Sequence, residues 1–356
     1  MPAAFLVSNG MDDTDRKLLT EIQKDFPRVS EPFQKLGERV GISGTEALTR
    51  IKRLKEEEKV LRQISAIFDT RSLGYQSTLV AMKFHNDHLD RGAEVINQHP
   101  GVSHNYRRND DYNLWFTIAV PPYHLLEDTI RKLHDISGAI NTLILPTLKL
   151  YKIGMKLDLT GKDSDKLDSK EEIYDDSRRR KSAPDLTPEQ IEAIRALQED
   201  IPLVERPFEA IAETSGFAEQ KLFDLMNYFE EKGYFRRFAG ILHHRKAGFS
   251  ANAMVVWNIP EEKLDEVGPK MAQFPQVSHC YKRPIFSDWP YAIYTMIHGA
   301  KTEDCDRIIQ KITQVIGEWP HKNLYSTKEY KKIRLKYFTK DLDEWWDRVA
   351  REASVA

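Results

Sequence analysis

Apolar positions near the amino terminus follow a helical spacing. Leu18, Leu19 and Ile22 would lie on one face of a helix, and two more amphipathic segments follow, with Gly41 at the turn between them. The predicted helices span residues 12–25, 32–40 and about 45–57. Three helices with a glycine turn before the third are typical of a helix-turn-helix domain.

The same pattern returns after residue 186. The sequence Thr-Pro-Glu-Gln at 187–190 is a capping box with proline at the first helical position, which predicts that a helix begins there. Two further helices are predicted at 207–214 and about 219–232, with Gly216 at the turn between them. The chain therefore contains a second helix-turn-helix domain.

After each trihelical unit, strand-like and helix-like segments alternate. The first half predicts strands at 62–69, 78–84, 102–108, 114–120 and 142–151, and helices at 89–98 and 123–134. The second half predicts strands at 254–258, 277–283, 292–298 and 328–337, and helices at 261–273 and 303–316. The order strand-helix-strand-strand-helix-strand is that of a ferredoxin-like domain.

These elements predict an α+β protein with two copies of a winged or simple helix-turn-helix domain, each followed by a ferredoxin-like βαββαβ domain. The expected divisions are 1–60, 61–156, a linker at 157–185, 186–234, 235–340 and a carboxyl-terminal extension at 341–356. The linker is too polar to form a core. Its basic run at 178–181 is interpreted as a solvated tether, with a nucleic-acid arm as the alternative.

Composition narrows the function classes without selecting one. With 40% hydrophobic and 30% charged residues, the 356-residue chain is an ordinary globular protein. A net charge of −2 gives no general attraction to nucleic acid or anionic membranes. No stretch approaches the roughly 18 apolar residues of a membrane-spanning helix, and no signal peptide is evident. The two cysteines, Cys280 and Cys305, lack metal-ligand spacing and favour a reducing cytoplasm.

The tripeptide Val-Ser-His occurs twice, at 102–104 and 277–279, and the two copies are 175 residues apart. Because side chains alternate along a strand, each copy places an imidazole, a phenol and a guanidinium on one face. These residues are His104, Tyr106 and Arg108 in the first half and His279, Tyr281 and Arg283 in the second. A solvated sheet face is the plain alternative, but duplication of the trio favours a binding surface.

The trios predict a flat, polyanionic, iron-containing tetrapyrrole as the ligand. Imidazole binds iron, a phenol ring lies against a planar macrocycle, and guanidinium groups bind carboxylates. Further residues expected to contact this ligand are Arg62, Arg107, Arg236, Arg237, His243, His244, Arg245, Lys282, Trp289 and Tyr291. An amino-acid effector would not need so many groups.

The combination of domains resembles the Lrp/AsnC family of regulators. The resemblance occurs once in each half and so covers nearly the whole chain. It implies a ligand-responsive transcription regulator as one alternative. DNA binding is disfavoured because the second recognition helix, at 219–232, is acidic and aromatic, whereas such a helix should present cations and polar groups to the duplex. Dimeric helix-turn-helix proteins also use two equivalent halves.

Four strings sharpen the resemblance. They are Val-Ser-His-Asn-Tyr-Arg-Arg (102–108), Val-Ser-His-Cys-Tyr-Lys-Arg (277–283), Phe-Arg-Arg-Phe-Ala-Gly-Ile-Leu-His-His-Arg-Lys-Ala-Gly-Phe (235–249) and Asp-Trp-Pro-Tyr-Ala-Ile-Tyr-Thr-Met-Ile-His-Gly (288–299). They are similar to those of the siroheme decarboxylases, Lrp/AsnC-like proteins made of two related subunits or one fused chain. This chain resembles the fused form.

The resemblance implies decarboxylation of the acetates at C12 and C18 of siroheme, giving didecarboxysiroheme for heme d1 or alternative heme synthesis. It implies no separate cofactor, since the iron belongs to the substrate. The expected assembly is an intramolecular pseudo-dimer, with a homodimer and other tetrapyrrole-pathway enzymes as candidate partners. A tetrapyrrole sensor or carrier without chemistry is a third hypothesis.

Roles within the two trios stay open. His104 and His279 are candidate proton donors or axial iron ligands, and Tyr106 and Tyr281 are the alternative donors if cations lower their pKa from about 10. A clamp on the reacting carboxylate would stabilise the ground state, so the arginines are expected to hold non-reacting carboxylates. These clamps are Arg62, Arg108, Arg237 and Arg283. Because the halves differ in sequence, we expect the two sites at the pseudo-dimer interface to be unequal, with one performing most of the turnover.

Overall fold

Each half of the protein begins with three helices. The computed structural model describes residues 11–153, 184–242, 251–299 and 301–355. The helices are α1 (Asp13–Lys24), α2 (Pro32–Val40) and α3 (Gly44–Glu56) in the first half, and α6 (Pro188–Leu197), α7 (Pro207–Ser215) and α8 (Glu219–Glu231) in the second. Gly41 and Gly216 end α2 and α7 with φ of 81° and 75°, a backbone conformation that glycine adopts without strain.

The two helix-turn-helix domains pack against each other around one shared core. This core includes Leu18, Ile51, Leu222 and Phe229. An antiparallel ribbon of two strands, β1 (Leu61–Phe68) and β7 (Phe235–Leu242), belongs to the same core and joins the halves. The two domains therefore form one body.

Nine further strands form a curled antiparallel sheet in the order β5-β2-β4-β3-β11-β8-β10-β9-β6. The first half supplies β2 (Gln76–Lys83), β3 (Val102–Arg108), β4 (Leu114–Val120), β5 (Asn141–Leu145) and β6 (Lys149–Ile153), with helices α4 (Leu89–Asn97) and α5 (Leu126–Ser137). The second half supplies β8 (Ala251–Trp257), β9 (Val277–Lys282), β10 (Ile293–Gly299) and β11 (His321–Lys332), with helices α9 (Leu264–Ala272) and α10 (Thr302–Ile316).

Each half completes the sheet of the other. Strand β11 pairs with β8 of its own half over residues 321–325 and then with β3 of the first half over residues 326–332. In the same way β5 pairs with β2, and β6, which follows it in the chain, pairs with β9 of the second half. These crossing strands make the duplicated chain an intramolecular pseudo-dimer, and the duplicated Lrp/AsnC-type fold is confirmed.

The strand predictions fail where pairing is long-range. The predicted strand at 142–151 is two strands, β5 and β6, because its ends pair with different halves. Strand β11 begins and ends earlier than the predicted 328–337. Strand β7 has no counterpart among the predicted strands, and β1 pairs with β7 rather than joining the large sheet. Arg62, Arg236 and Arg237 therefore lie on a separate ribbon, contrary to the expectation that they share the ligand-binding sheet.

The carboxyl-terminal helix α11 (Lys340–Val355) docks on the first-half sheet. Trp345 and Val349 are buried in the core formed by Ile96 and Val102, and the Trp345 ring lies 4.5 Å from the ring of His99. His99 is fully buried beneath this helix. Along the described stretches, no helix is both long and apolar enough to cross a bilayer.

Candidate functional site

A cavity of about 550 Å³ opens between the strands of the two halves, and both predicted trios line it. Its volume is in the range of ordinary ligand pockets. The six trio residues are His104, Tyr106, Arg108, His279, Tyr281 and Arg283. Two copies of one short string thus meet around one space, as a pseudo-dimer requires.

A β-bulge lies immediately before each trio. The register of β3 against β4 shifts between Val102 and His104, and the register of β9 against β10 shifts at the corresponding place. The extra residue in each bulge is a serine, Ser103 or Ser278, and it lies beside the histidine that follows. Beyond the bulge, alternation turns every second side chain toward the cavity.

The two arginines are buried without a carboxylate partner among the residues described. Arg108 and Arg283 are 5% and 8% exposed. Arg108 donates a hydrogen bond of 2.6 Å to the carbonyl oxygen of Leu324, and Arg283 donates to that of Leu145. Within the described part of the chain, neither Nε has a hydrogen-bond partner. A buried guanidinium with an unused donor is a binding site for an anion.

Burial determines the protonation states of the ionisable side chains in the cavity. It lowers the pKa of Arg108 to about 10, which still leaves the guanidinium charged at neutral pH. It also lowers the pKa of His279 to about 4, with a further contribution from the charge of His298. The pKa of His104 is lowered by burial and by the nearby Lys332. Both trio histidines are therefore neutral at neutral pH, the form that can bind iron or donate one N–H.

Three basic residues of the cavity were not predicted from the sequence: Arg71, Lys332 and His298. Arg71 lies after β1, Lys332 ends the crossing strand β11, and His298 lies on β10. No motif marks them, because long-range pairing brings them to the site. His298 was nevertheless inside the quoted string 288–299 and could have been found by alternation from Tyr294.

The lining is strongly cationic. Arg71, Arg108, Arg283 and Lys332 contribute four positive side chains, and no Asp or Glu is among the described residues that line the cavity. Aromatic surface comes from Tyr106, Tyr281, Trp115 and Tyr294. A flat ligand with several carboxylates is complementary to this arrangement.

Several predicted ligand contacts lie elsewhere. Arg107 and Lys282 occupy the alternate positions of their strands and do not line the cavity; Lys282 forms an ion pair with Glu261. Arg236 forms an ion pair of 2.5 Å with Asp69. Strand alternation or an acidic partner thus places these three side chains outside the cavity lining.

Four more predictions concern the ribbon and the core beneath the cavity. Arg237 is exposed, and its charge acts on Asp25 of the first helix-turn-helix domain. Arg62 does not line the cavity, although its charge contributes to the lowered pKa of His104. Trp289 and Tyr291 pack in the core, where Trp289 Nε1 donates to the Tyr294 hydroxyl at 2.7 Å. They support the cavity wall rather than form it.

The remaining predicted contacts are His243, His244 and Arg245, which lie outside the described residues, as does the basic run at 178–181.

The recognition helices are occupied by contacts within the protein. In α3, Arg50 and Arg53 both form ion pairs with the buried Asp15, and Lys55 pairs with Asp200 of the second domain at 2.6 Å. Glu219 at the start of α8 accepts a hydrogen bond of 2.7 Å from Ser30. Cations that pair with internal carboxylates are less available to phosphates.

Comparisons with known proteins agree with this geometry. An AsnC-like ligand-binding domain matches residues 72–152 and 246–331, and a siroheme decarboxylase NirDL-like helix-turn-helix domain matches residues 15–62 and 190–236. The siroheme decarboxylase of Hydrogenobacter thermophilus is 38% identical over 93% of this chain and 96% of its own length.

Solved structures extend the likeness to three dimensions. The crystal structure of the siroheme decarboxylase NirDL has a TM-score of 0.78 and 33% identity, and the match covers 96% of this chain and 100% of that one. Its co-complex with an iron-uroporphyrin III analogue has a TM-score of 0.77 with the same identity and coverage. This duplicated chain therefore belongs to the siroheme decarboxylase family, in its fused, NirDL-like form.

Proposed function

We propose that this enzyme is a carboxy-lyase that removes CO₂ from two acetate side chains of siroheme, at C12 and C18, in the cavity between its halves. The product is didecarboxysiroheme, an intermediate of heme d1 or alternative heme synthesis. The observation that carries the proposal is the lining of the cavity, which combines four cations, two neutral imidazoles and several aromatic rings. Such a lining fits a flat macrocycle with many carboxylates.

Two arginines position the substrate in this proposal. Each arginine donates to a carbonyl oxygen of the other half, Arg108 to Leu324 on β11 and Arg283 to Leu145 at the end of β5, and these bonds fix the position of its remaining donors. A carboxylate that they bind is fixed in register with the histidines. Because a clamp on the reacting acetate would slow its loss, they bind carboxylates that do not react.

The reaction needs an electron sink and a proton. Loss of CO₂ leaves an electron pair on the side-chain methylene, and the conjugated macrocycle delocalises it. No separate cofactor is needed, because the substrate supplies the sink. His104 and His279 line the cavity and are the candidates for delivering the proton or for ligating the substrate iron, and Tyr106 and Tyr281 are the alternative donors.

Anaerobic incubation of the purified protein with siroheme, followed by mass spectrometry of the pigment, tests the proposal. Loss of two CO₂ units is expected. An unchanged mass together with a shifted Soret band would instead identify a tetrapyrrole carrier or sensor and refute decarboxylation. A gel-shift assay with random duplex DNA tests the regulator hypothesis, and no shift is expected.

The cellular setting belongs to the same proposal. Cys280 and Cys305 are both buried free thiols, which suits a reducing cytoplasm. Other enzymes of the tetrapyrrole pathway are the candidate partners for substrate delivery and product transfer. The fused chain is also a candidate homodimer. Light scattering of the same preparation measures its mass in solution.

A further inference from the structure

The histidine of the second-half trio belongs to a chain of hydrogen-bond contacts that leads to a second histidine. Ser278 Oγ lies 2.8 Å from His279 Nδ1 and 2.7 Å from His298 Nε2. The same hydroxyl is 3.4 Å from the carbonyl oxygen of Met296, which is long for a hydroxyl hydrogen bond. The serine therefore joins two imidazoles in a continuous chain, from His298 through Ser278 to His279.

The first half has the start of this chain but a different end. Ser103 Oγ lies 3.0 Å from His104 Nδ1. Thr117 and Met296 stand opposite His104 and His279 in their sheets, so the position two residues later is Ala119 in one half and His298 in the other. Alanine cannot carry a proton. The two ends of the cavity therefore differ in their capacity to supply one.

The strand on the other side of each histidine also differs. Lys332 is the strand partner of His104 and lines the cavity, whereas Ile153 is the strand partner of His279. A lysine beside His104 suits the holding of a substrate carboxylate. A second imidazole connected to His279 suits the movement of a proton. The two ends are thus built for different tasks.

The contacts of Ser278 with both imidazoles answer a need of proton balance. A neutral imidazole that gives its Nε2 proton to carbon would become an imidazolate, unless a proton reaches Nδ1 in the same step. The Ser278 hydroxyl is in hydrogen-bond contact with that nitrogen.

We propose that His298 is a relay residue that supplies His279 with a proton through the Ser278 hydroxyl, so that acetate protonation takes place at the second-half end of the cavity. This inference rests on the proposed decarboxylation. It adds a task for His298 and Ser278, and it assigns the proton transfer to one of the two pseudo-symmetric histidines.

The step is balanced as follows. The bond between the methylene carbon and the carboxylate breaks, CO₂ leaves, and the electron pair stays on the methylene and macrocycle. The Nε2 proton of His279 passes to the methylene carbon, the Ser278 hydroxyl proton passes to His279 Nδ1, and the Nε2 proton of His298 passes to Ser278 Oγ. In the same step water gives a proton to the other ring nitrogen of His298 through its partly exposed side chain. Both histidines end as their other neutral tautomers.

The test uses single turnover of the full-length protein with siroheme under anaerobic conditions. In His298→Gln, the amide keeps a hydrogen-bond donor for Ser278 but cannot release a proton. We expect siroheme affinity, measured by Soret titration, to stay within about twofold. Decarboxylation is expected to slow about 10- to 100-fold, with a larger solvent deuterium isotope effect, because general acid catalysis is impaired. In His298→Ala, added imidazole is expected to restore part of the rate.

Matched variants separate the relay from simple damage. His88→Gln removes a histidine whose side chain is 68% exposed and is expected to keep the parental rate. Ser278→Ala is expected to lose more activity than Ser103→Ala, its pseudo-symmetric counterpart. If circular dichroism shows that the His298 variants do not fold, this serine pair tests the relay in their place. Equal losses in the serine pair, or a His298→Gln variant with the parental rate and isotope effect, would overturn the relay. If the parent itself releases no CO₂, the proposed function fails instead.

Discussion

The guanidinium of Arg108 donates a hydrogen bond of 2.6 Å to the main-chain carbonyl oxygen of Leu324, which belongs to the crossing strand of the other half. Arg283 makes the corresponding bond to Leu145. One arginine in each half thus contacts both the ligand cavity and a strand of the other half.

Replacement of Arg108 by Gln is therefore expected to weaken siroheme binding about 10-fold or more, because a charge-assisted bond to a substrate carboxylate is lost. The free energy of unfolding is expected to fall by about 1–3 kcal/mol, because the buried Leu324 carbonyl loses its donor. Soret titration and urea denaturation measure the two effects. Arg107→Gln, on the neighbouring residue outside the cavity, is the matched control, and an equal loss of affinity in both variants would contradict the assignment.

The two trio histidines are expected to be unequal. His279→Ala should slow CO₂ release at least about 100-fold, in the range for a lost general acid. His104→Ala should impair turnover less, because Lys332 and Arg108 remain at that end of the cavity. Quantifying mono- and didecarboxylated products over time measures each step separately. Equal losses at both steps in the two variants would refute an unequal pair.

His99 is expected to make stability depend on pH. Its Nδ1 accepts a hydrogen bond of 3.0 Å from the Gly101 amide, and burial lowers its pKa to about 3. Between that value and about 6.5, the unfolded chain binds a proton that the folded protein does not, so stability falls as pH decreases. The slope contributed by His99 is about 1.4 kcal/mol per pH unit within this window.

Urea denaturation at pH 7 and pH 5 measures this slope. His99→Gln is expected to be less stable at pH 7, yet to lose less stability on acidification than the parent does. His88→Gln, at an exposed position, is the control and should retain the parental pH dependence. Parallel pH profiles for His99→Gln and the parent would contradict the role given to His99.

Docking of the carboxyl-terminal helix is expected to stabilise the first-half sheet. Trp345 is 3% exposed and packs on His99, so Trp345→Ala should cost about 3–5 kcal/mol through the cavity it leaves. Differential scanning calorimetry measures the loss. Glu344→Ala, on an exposed part of the same helix, is the control and should change the free energy of unfolding by less than about 0.5 kcal/mol.

Asp15 is expected to hold the first recognition helix. It is fully buried and forms ion pairs with Arg50 and Arg53, so Asp15→Asn should cost about 1–3 kcal/mol by weakening charge-assisted hydrogen bonds at a buried site. Asp13→Asn, whose side chain is 89% exposed, should be near neutral. Denaturant titration compares them. A stable Asp15→Asn variant that gains DNA binding in a gel shift would restore the regulator hypothesis.

The sequence predicts local structure and the trios well because these depend on short-range patterns. Helix α2 and strand β3 have the predicted bounds, since proline, glycine and strict alternation mark them. The repeated Val-Ser-His string predicts a shared face, and alternation alone places Tyr106 and Arg108 on the same side of the strand.

The crossing strands could not be predicted, since register between distant segments leaves no local signal. Lys332 reaches His104 only because β11 continues past its own half into β3. For the same reason Arg62 and Arg237 were assigned to the wrong sheet. The buried position of His99 was missed because its cover, Trp345, lies in a helix that has no counterpart in the first half.

The exchange of β6 and β11 has a consequence for traffic through the enzyme. Three strand pairs, β11 with β3, β6 with β9 and β1 with β7, join one half to the other, so parting the halves would break main-chain hydrogen bonds along all three. We therefore expect pigment to enter and leave through the opening of the cavity while the two halves stay paired.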